Sequence, residues 1–319
     1  MSYRWIKIQT HVHTINSDGL DTLRDMAQSA GKKSVDVIFL TDHNTMYGYK
    51  DIENISKETG VKIIKAIEYT TFYGHIITVG APYFRWECLK EDSLNELADN
   101  VHKNNGIIGI AHPMAIGNPV CTGGRYKFRN TDFEKIDFIE EWHGISNKHN
   151  EWEKNKEFWE DKVNKGNRIT TIYGGDFHKK EHFNESSAFN LVCIDESKEL
   201  ESQIIGAIRS GRVIMSKGPS FHMRIIKTDR VYNMGSVVEI KEGEKFKIVI
   251  DVEPITVLNY MILNLNDNCG KEIEIDFKKG FVEVYGKDDL RWIRVEILNK
   301  ITKEVLAKCN PIYFKYVNR

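Results

Sequence analysis

Cysteine is scarce and poorly placed for cross-linking. The 319-residue chain has five, Cys88, Cys121, Cys193, Cys269 and Cys309, odd in number, widely spaced and without a CxxC pair. That argues against a disulfide framework or a thiolate zinc site and fits a reducing, cytoplasmic setting. Long apolar runs are missing too. The longest reach about six residues, far short of the ~20 needed to span a bilayer, so no membrane association is expected. Neither sign of charge dominates: Lys+Arg 45 against Asp+Glu 46 leaves a net charge of −1. Without a large basic excess, no nucleic-acid polymer is expected as a partner. The opening Met-Ser-Tyr-Arg-Trp-Ile-Lys has no apolar core or small-residue cleavage site, so no export signal is expected. There is no internal repeat, no low-complexity segment and no GxSxG nucleophile elbow. What remains is an ordinary globular composition, 41% hydrophobic and 29% charged, long enough for about two domains.

The first two thirds alternate short apolar runs with helical patterns. Strands are expected at residues 5–10, 35–40, 61–67, 76–79, 107–110, 138–141 and 169–173. Between them, Leu20, Leu23, Met26, Ala27 and Ala30 recur at helical spacing up to Gly31, and residues 51–59 form a helix stopped by Gly60. Ser93 with Glu96 reads as a capping box opening a helix through Leu94, Leu97, Ala98 and Val101. A helix carrying Trp152, Trp159 and Val163 follows, and a last one spans 198–210. Repeated strand–helix units predict a mainly parallel sheet, open or closed into a barrel. At Gly218-Pro219 the texture changes. Runs at 246–252, 260–265, 281–285 and 292–298 are alternating or β-branched, separated by turn signals, and predict an antiparallel β-sandwich over 220–319.

The informative observation is where histidines and carboxylates fall. His11 and His13 follow the first strand, and in extended chain their i, i+2 spacing puts them on one face. Asp18 lies in the turn after them. Asp42 and His43 follow the second strand, and Glu68 ends the third. His75 opens the next, His112 ends the strand at Ile110, and Asp176 and His178 follow the last. Apart from His75, all lie at C-terminal strand ends or just beyond, where α/β sheets and barrels build their sites. Singly, each has an ordinary explanation such as a helix cap. Together, buried imidazoles and carboxylates would be costly neighbours, and cations would turn that crowding into attraction. Imidazole plus carboxylate suits zinc, manganese or iron rather than calcium or magnesium. Nine ligands, counted without Asp42, are too many for one ion and suit two or three.

His11-Val-His13-Thr, Ser17-Asp18-Gly19, Thr41-Asp42-His43-Asn44, the Glu68 strand, His75-Ile-Ile-Thr-Val-Gly80, Ala111-His112-Pro113 and Gly175-Asp176-Phe177-His178 resemble, in order and spacing, the motifs of the polymerase-and-histidinol-phosphatase (PHP) metallohydrolases. The appended β-rich segment is most similar to their carbaryl-hydrolase-like branch, the CehA/McbA family. The resemblance implies a distorted (β/α)7 barrel over residues 1–219, followed by a small all-β sandwich domain over 220–319. It implies two or three divalent transition metals, manganese, iron or zinc. His11, His13, Glu68 and Asp176 would hold the first. Glu68 would bridge to a second with His75 and His112, and Asp18, His43 and His178 would hold a third. His143, in Glu141-Trp142-His143-Gly144, stands where many relatives carry Asn.

The expected activity is hydrolysis of a small phosphorylated metabolite or nucleotide by metal-bound hydroxide. Hydrolysis of a carbamate or carboxyl ester is the alternative. His43, His178 and His143 are candidate proton donors. The segment 114–132 follows His112, contains Gly117, Gly123 and Gly124, and reads as a functional loop. Arg125 after the glycine pair can hold two phosphate oxygens at once. Arg125, His143 and Lys179 are therefore expected to bind substrate. A homo-oligomer is allowed by the composition. His102, His149, His182 and His222 read as surface or structural.

Overall fold

The computed structural model describes residues 3–115, 125–144, 149–253, 261–270, 272–275 and 281–317. The chain divides into two compact units, Met1–Arg209 and Ser210–Arg319. The first contains strands β1 (Tyr3–Val12), β2 (Val37–Leu40), β3 (Lys62–Thr71), β4 (Gly74–Val79), β5 (Ile107–Ile110), β6 (Phe138–His143), β7 (Thr170–Gly174) and β8 (Phe189–Asp195). Its helices are α1 (Leu23–Lys32), α2 (Ile52–Thr59), α3 (Leu94–Lys103), α4 (His149–Asn164) and α5 (Leu200–Arg209). β2, β4, β5 and β7 are buried along their whole length, as strands covered on both faces must be.

The strands run in the order β8-β1-β2-β3-β4-β5-β6-β7. Pairing is parallel within β1–β2–β3 and within β5–β6–β7. The expected strand–helix alternation fails at β4, which is antiparallel to both β3 and β5. The reason is length. Only Phe72 and Tyr73 separate β3 from β4, and a parallel return needs a dozen residues or more. β8, which the sequence pattern did not suggest, lies antiparallel to β1 from Tyr3↔Asp195 to Ile8↔Asn190.

Beyond its end, β7 is tied back to the start of the sheet. The amide of His13 donates to the Phe177 carbonyl at 2.8 Å, and the amide of Phe177 donates to the His11 carbonyl at 3.1 Å. Buried Asn190 completes the seam: its side-chain carbonyl accepts from Tyr173 N at 2.8 Å. Its amide donates to Tyr173 O at 2.8 Å and to Thr10 Oγ1 at 3.1 Å. Backbone groups of β7 that lack a ladder partner are thereby satisfied inside the protein.

Two helix starts differ from expectation. α1 begins at Leu23 behind a capping box of Thr22 and Asp25, runs past Gly31 to Lys32, and leaves Leu20 outside and exposed. Ser93 does sit at the start of α3 but makes no side-chain cap. Its hydroxyl is engaged with the Lys90 backbone instead, accepting at 2.7 Å and donating at 3.1 Å. α2 ends as expected on Gly60, whose φ of 74° is the left-handed helix-ending conformation.

The second unit holds β9 (Ile214–Ser216), β10 (Ser220–Lys227), β11 (Arg230–Asn233), β12 (Val237–Ile240), β13 (Lys245–Glu253), β14 (Met261–Asp267), β15 (Glu272–Ile275), β16 (Phe281–Tyr285), β17 (Trp292–Asn299), β18 (Val305–Cys309) and β19 (Ile312–Tyr316), and no helix among its described residues. One sheet is β11-β10-β13-β16. The other runs β12-β19-β17-β18-β9, with β14 on β17 and β15 on β14. Pairing is antiparallel except for β12–β19. Phe246 packs on Phe314 at 5.2 Å, and Cys309 Sγ lies 3.9 Å from Met223 Sδ, so the two sheets share an apolar layer. Because β9 pairs with β18, the division falls before Gly218-Pro219, where the sequence texture changes.

Candidate metal centre

The C-terminal ends of β1, β2, β3, β5, β6 and β7 and the start of β4 meet at one end of the first unit's sheet. His11 belongs to β1 and His13 follows it. His43 follows β2 and bridges to Glu68 of β3. The β3–β4 hairpin brings His75 back beside Glu68, a consequence of the antiparallel return. His112 follows β5, His143 ends β6, and Asp176 and His178 follow β7. Asp42 is not among these ligand groups. Its buried carboxylate accepts from Thr14 N at 2.7 Å, Thr14 Oγ1 at 2.8 Å and Ser17 Oγ at 2.9 Å, fixing the turn that carries Asp18.

Four donor atoms form the tightest set. His11 Nε2 lies 2.9 Å from His13 Nε2, 3.0 Å from Glu68 Oε2 and 3.4 Å from Asp176 Oδ1. His13 Nε2 lies 3.2 Å from Glu68 Oε2 and 3.1 Å from Asp176 Oδ1. Donors bound at 2.0–2.2 Å to one first-row ion stand about 2.8–3.6 Å apart, between right-angled and tetrahedral geometry. Further groups that could hold an ion are His13, Asp18, His43 and His178; His43, Glu68 and His75; His112, His143 and Asp176; and His11, His112 and Glu140. Glu68 is central. Oε2 faces His11, His13 and, at 3.1 Å, His43 Nδ1, while Oε1 faces His75 Nδ1 at 2.8 Å and His112 Nε2 at 3.1 Å.

The donor set fits a divalent transition metal on a second ground. Among the described residues, no lysine or arginine is ion-paired to Asp18, Glu68, Glu140 or Asp176. The centre is closed below and open above: His11, His13 and Glu68 are fully buried, while 55% of the Asp18 side chain is exposed.

Electrostatics follow from this crowding. Burial pushes the Glu68 carboxyl up, but His11, His43 and His75 outweigh it and hold it well below the usual carboxylate range. Asp176 is held low in the same way by His11 and His13. Burial lowers His11, and Glu140, Glu68 and Asp176 reverse that and raise it well above an ordinary imidazole. His13 and His178 are also raised against burial, chiefly by Asp176 and Glu68 for His13 and by Asp18 for His178. His112 moves the other way, lowered by burial and by His143.

The expected substrate contacts are less uniform. His143 lies within the cluster, its ring 4.5 Å from that of His112 and its Nε2 3.6 Å from Asp176 Oδ2. Residues 116–124, with the three glycines of the expected loop, lie outside the described residues. Arg125 is exposed, and its backbone is set at the centre's edge. The Tyr126 amide donates to Pro113 O at 2.8 Å, and a Cβ on Gly74 would lie 3.5 Å from Arg125 O. Lys179 is exposed beside His178. The residue that sequence reasoning missed is Glu140. The signal was available: Glu140-Glu141 are two carboxylates inside an otherwise apolar strand, and both are fully buried.

Residues 9–151 match the family model of the PHP domain. The PHP match covers a little under half of the chain and includes the candidate ligands from His11 to His112, with His143. Asp176 and His178 lie beyond it. An uncharacterised protein of Methanocaldococcus jannaschii is 25% identical over 155 residues, 44% of this chain and 87% of that protein. A 5'-3' exoribonuclease of Haemophilus influenzae is 32% identical over 65 residues, 20% of this chain and 24% of the enzyme. A two-domain protein of Bacteroides vulgatus containing a predicted PHP-like metal-dependent phosphoesterase has the same overall fold. It superposes with a TM-score of 0.53 at 14% identity, covering 98% of this chain and 95% of that one.

Proposed function

We propose that the chain is a metal-dependent phosphoesterase acting on a small phosphorylated metabolite or nucleotide. The observation that carries this is the set of four donors, His11, His13, Glu68 and Asp176, at ligand spacing around one point. The PHP match and the fold shared with a protein containing a predicted phosphoesterase support the same class. The bonding of β7 and the residue Phe177 beyond it back to β1 supports a distorted barrel of the PHP type. His11, His13, Glu68 and Asp176 would hold one ion, Glu68, His75 and His112 a second, and Asp18, His43 and His178 a third. Such ions, when bound, activate water and offset charge on a phosphoryl group. The protein's own groups do the rest. Glu68 turns Oε2 toward His11 and His13 and Oε1 toward His75 and His112, so its one carboxylate would contribute to both sets. With only the first two ions bound, His43 and His178, on the open side beside Asp18, would be free to give a proton to a leaving group. Arg125, rooted between Gly74 and Pro113, supplies a fork for phosphate oxygens.

The test is metal analysis with activity profiling. Protein expressed with ample manganese, iron and zinc should hold two or three ions per chain and release phosphate from members of a phosphorylated-metabolite library. One oxygen of that phosphate should come from solvent. Fewer than one ion per chain would end the proposal. Carbamate or carboxyl-ester cleavage with no phosphate release would replace it with the alternative hydrolase.

A further inference from the structure

Glu140 binds no exposed group and lies outside the tight four-donor set, yet two parts of the centre converge on it. Its Oε1 accepts from His11 Nδ1 at 2.8 Å, and its Oε2 accepts from the backbone amide of His112 at 3.1 Å. His143 Nδ1 stands 3.6 Å from Oε2, beyond hydrogen-bond reach. The carboxylate is fully buried, and among the described residues no lysine or arginine is paired with it. Space for it is made by one residue: a Cβ on Gly174 would fall 2.0–2.3 Å from the Glu140 carboxyl atoms. A buried acid in a notch cut for it, bonded only to the centre's own histidines, has no evident packing role.

We propose that Glu140 is a positioning residue that fixes the ring state of His11 and the backbone of His112. A carboxylate can only accept, so the 2.8 Å contact keeps a proton on His11 Nδ1. In the neutral ring the lone pair then lies on Nε2, the atom facing His13, Glu68 and Asp176. The second bond holds the amide of His112, whose φ of 27° is in the left-handed region that a non-glycine residue adopts only when its surroundings enforce it. One side chain thus orients ligands from β1 and from the end of β5 together. The role rests on reading the cluster as a metal centre.

Glu140→Gln is the discriminating change. An amide has one acceptor where the carboxylate has two. Turning its NH2 toward His11 would favour the other tautomer, with the proton on Nε2 and the lone pair directed away from the ligand cluster. Two readouts follow. Manganese and zinc affinity, measured by competition with a chromophoric chelator, should fall about 10–100-fold, the usual effect of removing a ligand's outer partner. Nitrogen–proton spectra of the metal-free protein, recorded at a pH high enough to leave the raised His11 neutral, should show it protonated at Nδ1 in the wild type and at Nε2 in the variant. Glu140→Asp keeps both acceptors on a shorter stem and should recover part of the affinity. It also carries the test if Glu140→Gln fails to fold. Wild-type affinity and an unchanged His11 tautomer in Glu140→Gln would overturn the proposal. A wild-type protein that binds no metal would instead remove the metal-centre reading. The tautomer measurement, which needs no metal, would still decide the role of Glu140.

Discussion

Two histidine–carboxylate contacts of the same length lie three residues apart along one strand and have different surroundings. At the entry to β6, Asp137 Oδ2 meets His102 Nε2 at 2.8 Å. Within β6, Glu140 Oε1 meets His11 Nδ1 at 2.8 Å. Asp137 also accepts from Ile108 N at 2.9 Å and faces Arg209 Nε at 3.6 Å, and the His102 side chain is one-third exposed. The Asp137 carboxylate there has a cationic side chain within reach, and its histidine partner opens to the surface. At the Glu140 end, imidazoles crowd imidazoles and no cationic side chain intervenes among the described residues. The contact alone therefore identifies nothing. What distinguishes the Glu140 end is clustered carboxylate charge without a cationic side chain beside it among the described residues, which a divalent cation would offset.

The sharpest way to break that contrast is at its centre. Glu68→Gln removes the carboxylate that faces five histidines, and a neutral amide is a poor bridge between cations. Phosphate release should drop by about 10³-fold or more, with bound metal falling in the same preparation. Retention of both would refute the central place given to Glu68.

Metal removal should reverse the response of stability to pH. In the metal-free protein, Glu140 is held down at about 2 from its usual 4.5, His11 outweighing burial. Its contribution is present above pH 4.5 and lost as pH falls toward 2. His11, His13 and His178 are raised from 6.5. Their contribution is complete below pH 6.5 and fades as pH rises through the raised values. Metal-free protein should therefore melt highest between about pH 4.5 and 6.5. Metal-loaded protein should gain stability above that window, because ligands must shed protons to bind. Melting curves at pH 4, 5.5 and 8, with and without chelator, compare the two. Parallel trends would contradict the account.

Much of the donor cluster is legible in the sequence alone. Strand ends announce themselves when an apolar run stops at His or Asp, which is why His11, His13, His43, His112, Asp176 and His178 stand out by position. Glu140 does not, because it lies inside its run rather than after it, and only the notch at Gly174 shows which way it points. The hairpin between β3 and β4 was hidden because Phe72-Tyr73 is not a strong turn sequence. β8 was hidden by Asn190, a polar residue in an apolar stretch whose partners, Thr10 and Tyr173, are remote in sequence. Ser93 illustrates the opposite error: a pattern that satisfies the capping-box rule while its hydroxyl bonds to Lys90.

Smaller effects should follow away from the donor atoms. Arg125→Ala should lower kcat/KM by about tenfold, ~1.4 kcal/mol, with metal content and folding unchanged. Arg125→Lys should recover only part of the loss, since charge returns without the fork. Wild-type kinetics for Arg125→Ala would remove the arginine from substrate binding. Smallest of all, His102→Gln should change kcat/KM by no more than about twofold and stability by under about 1 kcal/mol, as expected of a histidine–carboxylate contact at the edge of the fold. Depletion of metal by that change would show that the two ends of the strand are not as separate as their surroundings indicate.

The joining of residues 11 and 176 at one point has a mechanical consequence for the whole first unit. Glu68 and His75 are seven residues apart on a hairpin and can meet early, whereas His11 and Asp176 lie near opposite ends of the unit's chain. An ion shared by that distant pair would be a clasp on a loop of more than 150 residues. By the chain-entropy account that applies to a disulfide, closing such a loop stabilises the folded state by on the order of 5 kcal/mol. The centre would then fasten β1 to the end of β7, and losing the ion would loosen the seam at Phe177 and Asn190 before it disturbed the hairpin.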